Sequence, residues 1–162
     1  EQSQRQTVAR YARRKFVMIY FDTSFLAPLI LEEASSARVE AYIKRLPRTD
    51  LCVSHWVRVE LASLLAREVR IGGLVEREAL AAANQFEKML ADSYWIISPQ
   101  AADYDLARQF ILHFPTALRA GDAMHLALAK NHAATSVLTL DKGMLKAGKL
   151  LRLPVSHGIR VN

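Results

Sequence analysis

From residue 17 onward, short β-like apolar runs alternate with longer segments of helical period. This alternation constrains the fold more than any other feature of the chain. The apolar runs are 17–21, 51–54, 94–97 and 136–140, and 153–156 reads as a short edge strand. Helical patterns lie between them, over 24–31, 36–45, from Trp56 to the break at Gly72-Gly73, over 75–91 and over 101–113, with another opening at Gly121-Asp122. Pro47-Arg48-Thr49-Asp50 and Phe114-Pro115-Thr116 supply turn signals. Strands that alternate with helices form a parallel sheet covered on both faces. The expected fold is therefore α/β, with three layers and a central parallel sheet of four to five strands.

At 162 residues the chain is long enough for one domain with a core that needs no staples. Half of its residues are apolar, which excludes a disordered polymer. Cys52 is the single cysteine and lies in an apolar run, so it reads as a small buried hydrophobe in a chain without disulfides, suited to a reducing cytoplasm. No apolar run approaches the ~18 residues of a membrane span. The net charge of +6 is uneven. Residues 1–17 hold five basic residues against Glu1 alone, leaving 17 basic and 15 acidic residues for 18–162. The first stretch reads as a basic, disordered extension or an upstream remnant, and 18–162 as the single domain. A nearly balanced body does not by itself identify a nucleic-acid binder.

Four acids stand out within this pattern. Asp22 and Asp141 each follow a β-like run, which places both at the carboxyl edge of the sheet, where open α/β sheets bind ligands. Asp122 stands at a helix start, where free N–H groups and the helix dipole favour an anion. Glu60 lies within a helix, and its longer side chain reaches further. A carboxylate embedded among apolar residues is costly unless a cation meets it. Carboxylates with water suit Mg²⁺ or Mn²⁺, and no Cys/His spacing suggests zinc.

At these residues the chain resembles the PIN-domain ribonucleases, specifically the toxins of VapBC-type toxin–antitoxin pairs. The matching motifs are Phe21-Asp22-Thr23-Ser24, Val59-Glu60-Leu61-Ala62, Ala120-Gly121-Asp122-Ala123-Met124-His125-Leu126-Ala127 and Thr139-Leu140-Asp141. The resemblance runs from about Met18 to the C-terminus and rests on the ordered set of four. One position departs from the pattern: Val57 stands where the family often has a small hydroxyl residue before the glutamate.

The resemblance implies a PIN-like fold and Mg²⁺- or Mn²⁺-dependent cleavage of single-stranded RNA. Asp22, Glu60 and Asp122 would be the ligands, with Asp141 binding directly or through water, and the number of ions stays open. It also implies a cognate antitoxin and a homodimer. Thr23, Ser24 and Thr139 carry hydroxyls beside the acids, Arg119 stands before Asp122, and His125 follows one turn later, so each is a candidate supporting residue.

Plainer readings exist for all of them. Asp22, Asp122 and Asp141 are also good helix caps, Glu60 could pair with Arg58 or Arg67, and His125 and Trp56 could be core residues. Two other functions compete. One is a catalytically inactive PIN-like module that binds RNA or protein, although such a binder gains nothing from four clustered acids. The other is a phosphotransfer receiver, which needs an aspartate after its third strand, whereas here 94–97 runs into Ser98-Pro99.

Overall fold

The computed structural model describes residues 17–159. The extension expected over 1–17 thus lies outside the described residues, apart from Val17. Five strands form one sheet: β1 (Ile19–Phe21), β2 (Leu51–Ser54), β3 (Trp95–Ile97), β4 (Ser136–Leu138) and β5 (Val155–Ser156). All neighbours pair in parallel, in the order β3-β2-β1-β4-β5. The helices are α1 (Thr23–Leu26), α2 (Ser36–Ile43), α3 (Trp56–Arg70), α4 (Glu76–Ser93), α5 (Ala101–Leu112), α6 (Ala120–Asn131) and α7 (Lys142–Leu150).

The period-two alternation of the strands divides the core into two faces. Ile19, Phe21, Leu51, Val53 and Leu138 point to one side, where they meet Phe25, Val39, Leu61, Phe86 and Leu90 of α1 to α4. Tyr20, Cys52 and Val137 point to the other side and meet Ala107, Phe110, Leu126 and Met144 of α5 to α7. The result is three layers. From β1 the chain adds β2 and β3 on one side, then crosses over and adds β4 and β5 on the other. Because parallel crossovers keep one hand, reversing direction moves the covering helices to the opposite face. The reversal opens a crevice between the carboxyl ends of β1 and β4, the usual ligand position in such sheets.

Local chemistry sets the element ends. Gly72 has φ +77, and Gly73 N donates to the Glu68 carbonyl, closing α3. At Gly148 a Cβ would run into the Val155 side chain, so α7 packs on β5 only because that position is bare. The expected helix over 24–31 is shorter: one α turn passes at Pro28 into a 3₁₀ turn, Ala27–Leu29. The strand expected over 136–140 ends at Leu138: the Thr139 N–H still reaches the Ser156 carbonyl, but the Leu140 N–H turns to the Ser24 hydroxyl. No described helix is long and apolar enough to cross a membrane.

Candidate active site

Asp22 is the first residue beyond β1, the central strand. Its N–H donates to the Leu138 carbonyl (3.2 Å), so the backbone continues the sheet ladder while the side chain turns into the crevice. The carboxylate is 3 % exposed and accepts from the Phe25 N–H (3.1 Å), the Ser24 hydroxyl (2.9 Å) and the Thr139 hydroxyl (2.7 Å). A carboxylate has about four acceptor positions. Three donors leave it one. Burial pushes Asp22 above the ordinary carboxylate value, against the charge of His125 and these hydrogen bonds. The capping reading of Asp22 is correct for α1, and it describes only part of what the side chain does.

Thr139 and Ser24 belong to the same network. Asp141 N donates to the Thr139 hydroxyl (3.0 Å), and Leu140 N donates to the Ser24 hydroxyl (2.9 Å). The two hydroxyls thereby tie the end of β4 to the end of β1. Asp141 caps α7, with Oδ1 accepting from Met144 N (2.7 Å).

Glu60 lies one turn into α3. Its Oε2 accepts from the Thr23 hydroxyl and from His125 Nε2 (2.6 Å), while Oε1 stands over Gly121, where a Cβ would come within 2.6 Å. Neither Arg58 nor Arg67 is its partner, because they pair with Glu87 and Glu68. Gly121 is the second residue of α6 and not its start. Its bareness is what lets the Glu60 carboxylate lie against the first turn of that helix, beside Asp122. Burial pushes Glu60 up, but the hydrogen bond and charge of His125, with Thr23 and Trp56, outweigh it and leave the group below its ordinary value. The Trp56 indole Nε1 is buried beside this carboxylate; among the described residues it has no acceptor in close hydrogen-bonding geometry, yet its N–H is directed so as to favour the charged Glu60.

His125 is 1 % exposed and lies beneath this arrangement. Its Nδ1 meets the Tyr20 hydroxyl (2.9 Å), which donates its one proton to Ser54 (2.9 Å). Nδ1 must then donate, and Nε2 donates to a carboxylate. Both ring nitrogens therefore carry protons, which makes His125 an imidazolium. Burial lowers its pKa, yet the hydrogen bond to Glu60 and the charges of Glu60, Asp22 and Asp122 raise it above the ordinary value. His125 is a core histidine and a counter-ion at once.

Asp122 is not a cap. Arg119 holds the N-cap position of α6 and is exposed, with no ion pair among the described residues. Asp122 is pushed up to about 6 by burial first and then by the charges of Asp141, Asp22 and Glu60, with His125 opposing. The four acids, scattered through the sequence, therefore share one field at the crevice. Among the described residues, however, no three His, Cys, Asp or Glu side chains close on one point as a finished cage. The donor set is all oxygen, Asp22 and Glu60 each keep spare acceptor capacity, and among the described residues none makes a hydrogen bond that would satisfy the Asp122 carboxylate. This suits Mg²⁺ or Mn²⁺, which retain several waters and take one or two carboxylates directly.

Sequence reading missed Tyr20, Ser54 and the role of Gly121. Tyr20 and Ser54 are polar residues in otherwise apolar strands at the sheet's carboxyl edge, a visible but weak signal. Val57 is fully buried in the core, and the contacts to Glu60 come instead from Thr23, Trp56 and His125.

The fold is found in known structures. FitAcB from Neisseria gonorrhoeae superposes with a TM-score of 0.69 at 20 % identity, covering 87 % of this chain and 98 % of that one. VapC20 from Mycobacterium tuberculosis, described as a Sarcin-Ricin loop cleaving toxin, gives 0.66 at 23 % identity, covering 80 % and 95 %. VapBC2 from Rickettsia felis, bound to a DNA fragment from its promoter, gives 0.60 at 16 % identity, covering 86 % and 98 %. No curated protein matches the chain in sequence. The PIN-domain family profile matches residues 19–150, a span that contains all four acids of the crevice. The chain belongs to the PIN-domain family.

Proposed function

We propose that this protein is a metal-dependent endoribonuclease toxin of the VapBC kind, held in check by a cognate antitoxin. The observation that carries the reading is the mutual field of the four acids, in which Asp141, Asp22 and Glu60 help lift Asp122 to about 6. Such crowding is destabilising without a cation and has no use in a purely structural crevice. Structural neighbours that are toxins, or toxin–antitoxin assemblies by name, support the biological setting.

Asp22, Glu60 and Asp122 are the residues to hold Mg²⁺ or Mn²⁺, with Asp141 binding directly or through water. When bound, the ion supplies a water of lowered pKa and stabilises charge that develops on the phosphate. The chain's own residues do the remaining work. Thr139 and Ser24 fix the Asp22 carboxylate, and Thr23 and His125 fix Glu60, so the acids do not swing to solvent. The imidazolium of His125 offsets part of their charge from below. Arg119, exposed at the head of α6, would be the residue to meet a phosphate on the substrate strand.

The antitoxin reading follows from the same electrostatics. An inhibitor that offers an arginine or lysine to the carboxylates replaces the ion's charge with charge-assisted hydrogen bonds. A homodimer is part of the same proposal. The test is cleavage of single-stranded RNA by the purified chain with Mg²⁺ or Mn²⁺. Cleavage that EDTA stops and Asp22→Asn abolishes is the expected result. A folded, metal-loaded wild type that leaves RNA intact would instead favour an inactive PIN-like binding module.

A further inference from the structure

Within 18–162 the positive excess stands in and after α7. Of the 17 basic and 15 acidic residues there, five basic ones and no acid lie in 142–162. Residues 18–141 are left with twelve against fifteen, or twelve against eleven once the four crevice acids are set aside. Three of the five, Lys142, Lys146 and Lys149, lie on α7 at spacings of four and three, which sets them along one face of the helix. That face is exposed, and Met144, Ala147 and Gly148 on the opposite side are buried. Several exposed cations elsewhere meet an acid, as in Lys44–Glu40, Arg58–Glu87 and Arg67–Glu68. None of the three lysines makes an ion pair among the described residues.

The lysine face starts at the acidic crevice. Asp141 caps α7 and its charge acts on Asp122, so the first turn of this helix borders the four acids. A helix between parallel strands returns from the carboxyl end of one to the start of the next, so α7 leads away from the crevice beside β5. From Lys142 to Lys149 it covers about 10 Å of axis. At Gly143 a Cβ would meet only Asp141 Oδ1, at 3.0 Å, so no other element stands over the first turn there. Lys142 opens the helix, where the dipole disfavours a cation. It serves the helix less well than an acid would.

We propose that this face of α7 holds the backbone of the RNA strand as it leaves the acids, with the lysines meeting successive phosphates. This rests on the nuclease reading and extends it to how the strand is held. Four carboxylates repel a polyanion everywhere except at the bound cation, so the strand needs an attraction beside them. The lysine face supplies it. A lysine is a compact charge on a flexible stem, suited to phosphate oxygens of a pliable strand, and such contacts position a strand without reading its bases. The face is about as long as the ~8 Å over which salt screens exposed charges, so its far end acts on the phosphates beside it and little on the one at the cation. Its effect therefore falls on binding, and the reaction step stays with the crevice.

The experiment uses the full chain with a short fluorescein-labelled single-stranded RNA, Ca²⁺ replacing Mg²⁺ to slow cleavage, and reads binding by anisotropy as salt rises. Each phosphate neutralised on a single strand contributes roughly 0.7 to the slope of log affinity against log salt. Lys146→Gln combined with Lys149→Gln should lower that slope by about 1.4 and weaken binding about tenfold, whereas arginine at both positions should preserve it. Arg77→Gln combined with Lys88→Gln removes the same charge from exposed positions on α4, across the sheet, and should leave the slope within about 0.3 of the wild type. With Mg²⁺ the α7 pair should raise KM about tenfold and change kcat by less than about twofold. The α7 positions are exposed and glutamine is a good helix former, so equal melting temperatures are expected. An unchanged slope for the α7 pair, or an equal loss from the α4 pair, would overturn the proposal. So would an α7 pair that binds RNA as the wild type does but loses binding to poly-L-glutamate, because the face would then serve an acidic protein. If the wild type cleaves no RNA with Mg²⁺, the nuclease reading fails by itself, and the salt slopes still decide whether this face holds RNA.

Discussion

A single methylene-sized substitution separates two roles at the centre of the crevice. Gly121→Ala would place a Cβ 2.6 Å from Glu60 Oε1. That atom is the end of a flexible side chain, so the fold yields by moving the carboxylate and not the helix. Alanine is also about 1 kcal/mol better than glycine within a helix. The variant should therefore unfold at an equal or higher temperature, yet bind Mn²⁺ roughly tenfold more weakly. A loss of stability with unchanged metal affinity would show that Gly121 serves packing alone. Asp122 allows a complementary test in metal-free protein. Its folded value of about 6 exceeds the ~3.9 of an unfolded aspartate, so the folded state binds the proton more tightly. The stability this confers is present below pH 4 and is lost as pH rises through 6. Asp122→Asn should remove that loss and stabilise the metal-free chain at pH 7 by roughly 1–2 kcal/mol after solvent screening, with little effect at pH 4. Urea titrations at the two pH values give the comparison. Equal stability changes at both would mean that like-charge crowding is not what burdens Asp122.

At the scale of elements, Asp141 is both a cap and a candidate ligand, and two substitutions distinguish these. Asparagine is as good an N-cap as aspartate, whereas alanine costs about 1 kcal/mol. Asp141→Asn should keep α7 and the melting temperature while weakening metal binding, and Asp141→Ala should lose both. If Asn leaves metal affinity intact, Asp141 is a cap only. The elements themselves were largely legible in the sequence, and the reason is physical. Short strands buried on both faces appear as continuous apolar runs, and β2 over Leu51–Ser54 was readable to the residue. Boundaries were lost where side chains competed with the ladder. Thr139 and Leu140 have strand-like character, and the Thr139 N–H still donates to Ser156 of β5, but the Leu140 N–H goes to the Ser24 hydroxyl and the ladder ends there. Gly121 looked like a helix boundary because glycine usually marks one, whereas here it is bare to admit a carboxylate from another helix. No local pattern announces such a contact.

Across the whole molecule, the order β3-β2-β1-β4-β5 does what the motifs alone could not. It sets β1 between β2 and β4 and so brings Asp22, Ser54 and Thr139 to one edge. The four acids were legible individually from their flanking residues, and their meeting was an expectation from family resemblance. The layer beneath them was not legible, because the chain Ser54–Tyr20–His125–Glu60 links four separate elements through side chains whose types are common in any core. Charge balance also emerges only at this scale. The imidazolium of His125 meets Glu60 directly and acts on Asp22 and Asp122 through its field, leaving an acidic remainder that a divalent cation would neutralise. On this reading the four acids form one site for such a cation. Titration of the purified chain with Mn²⁺, followed by the loss of the free-ion paramagnetic signal, tests it most directly. Saturable binding at one or two ions per chain is the expected result, weakened about tenfold or more by Asp22→Asn, Glu60→Gln or Asp122→Asn in proteins that remain folded. Binding that is absent in the wild type, or equal in all four proteins, would contradict it.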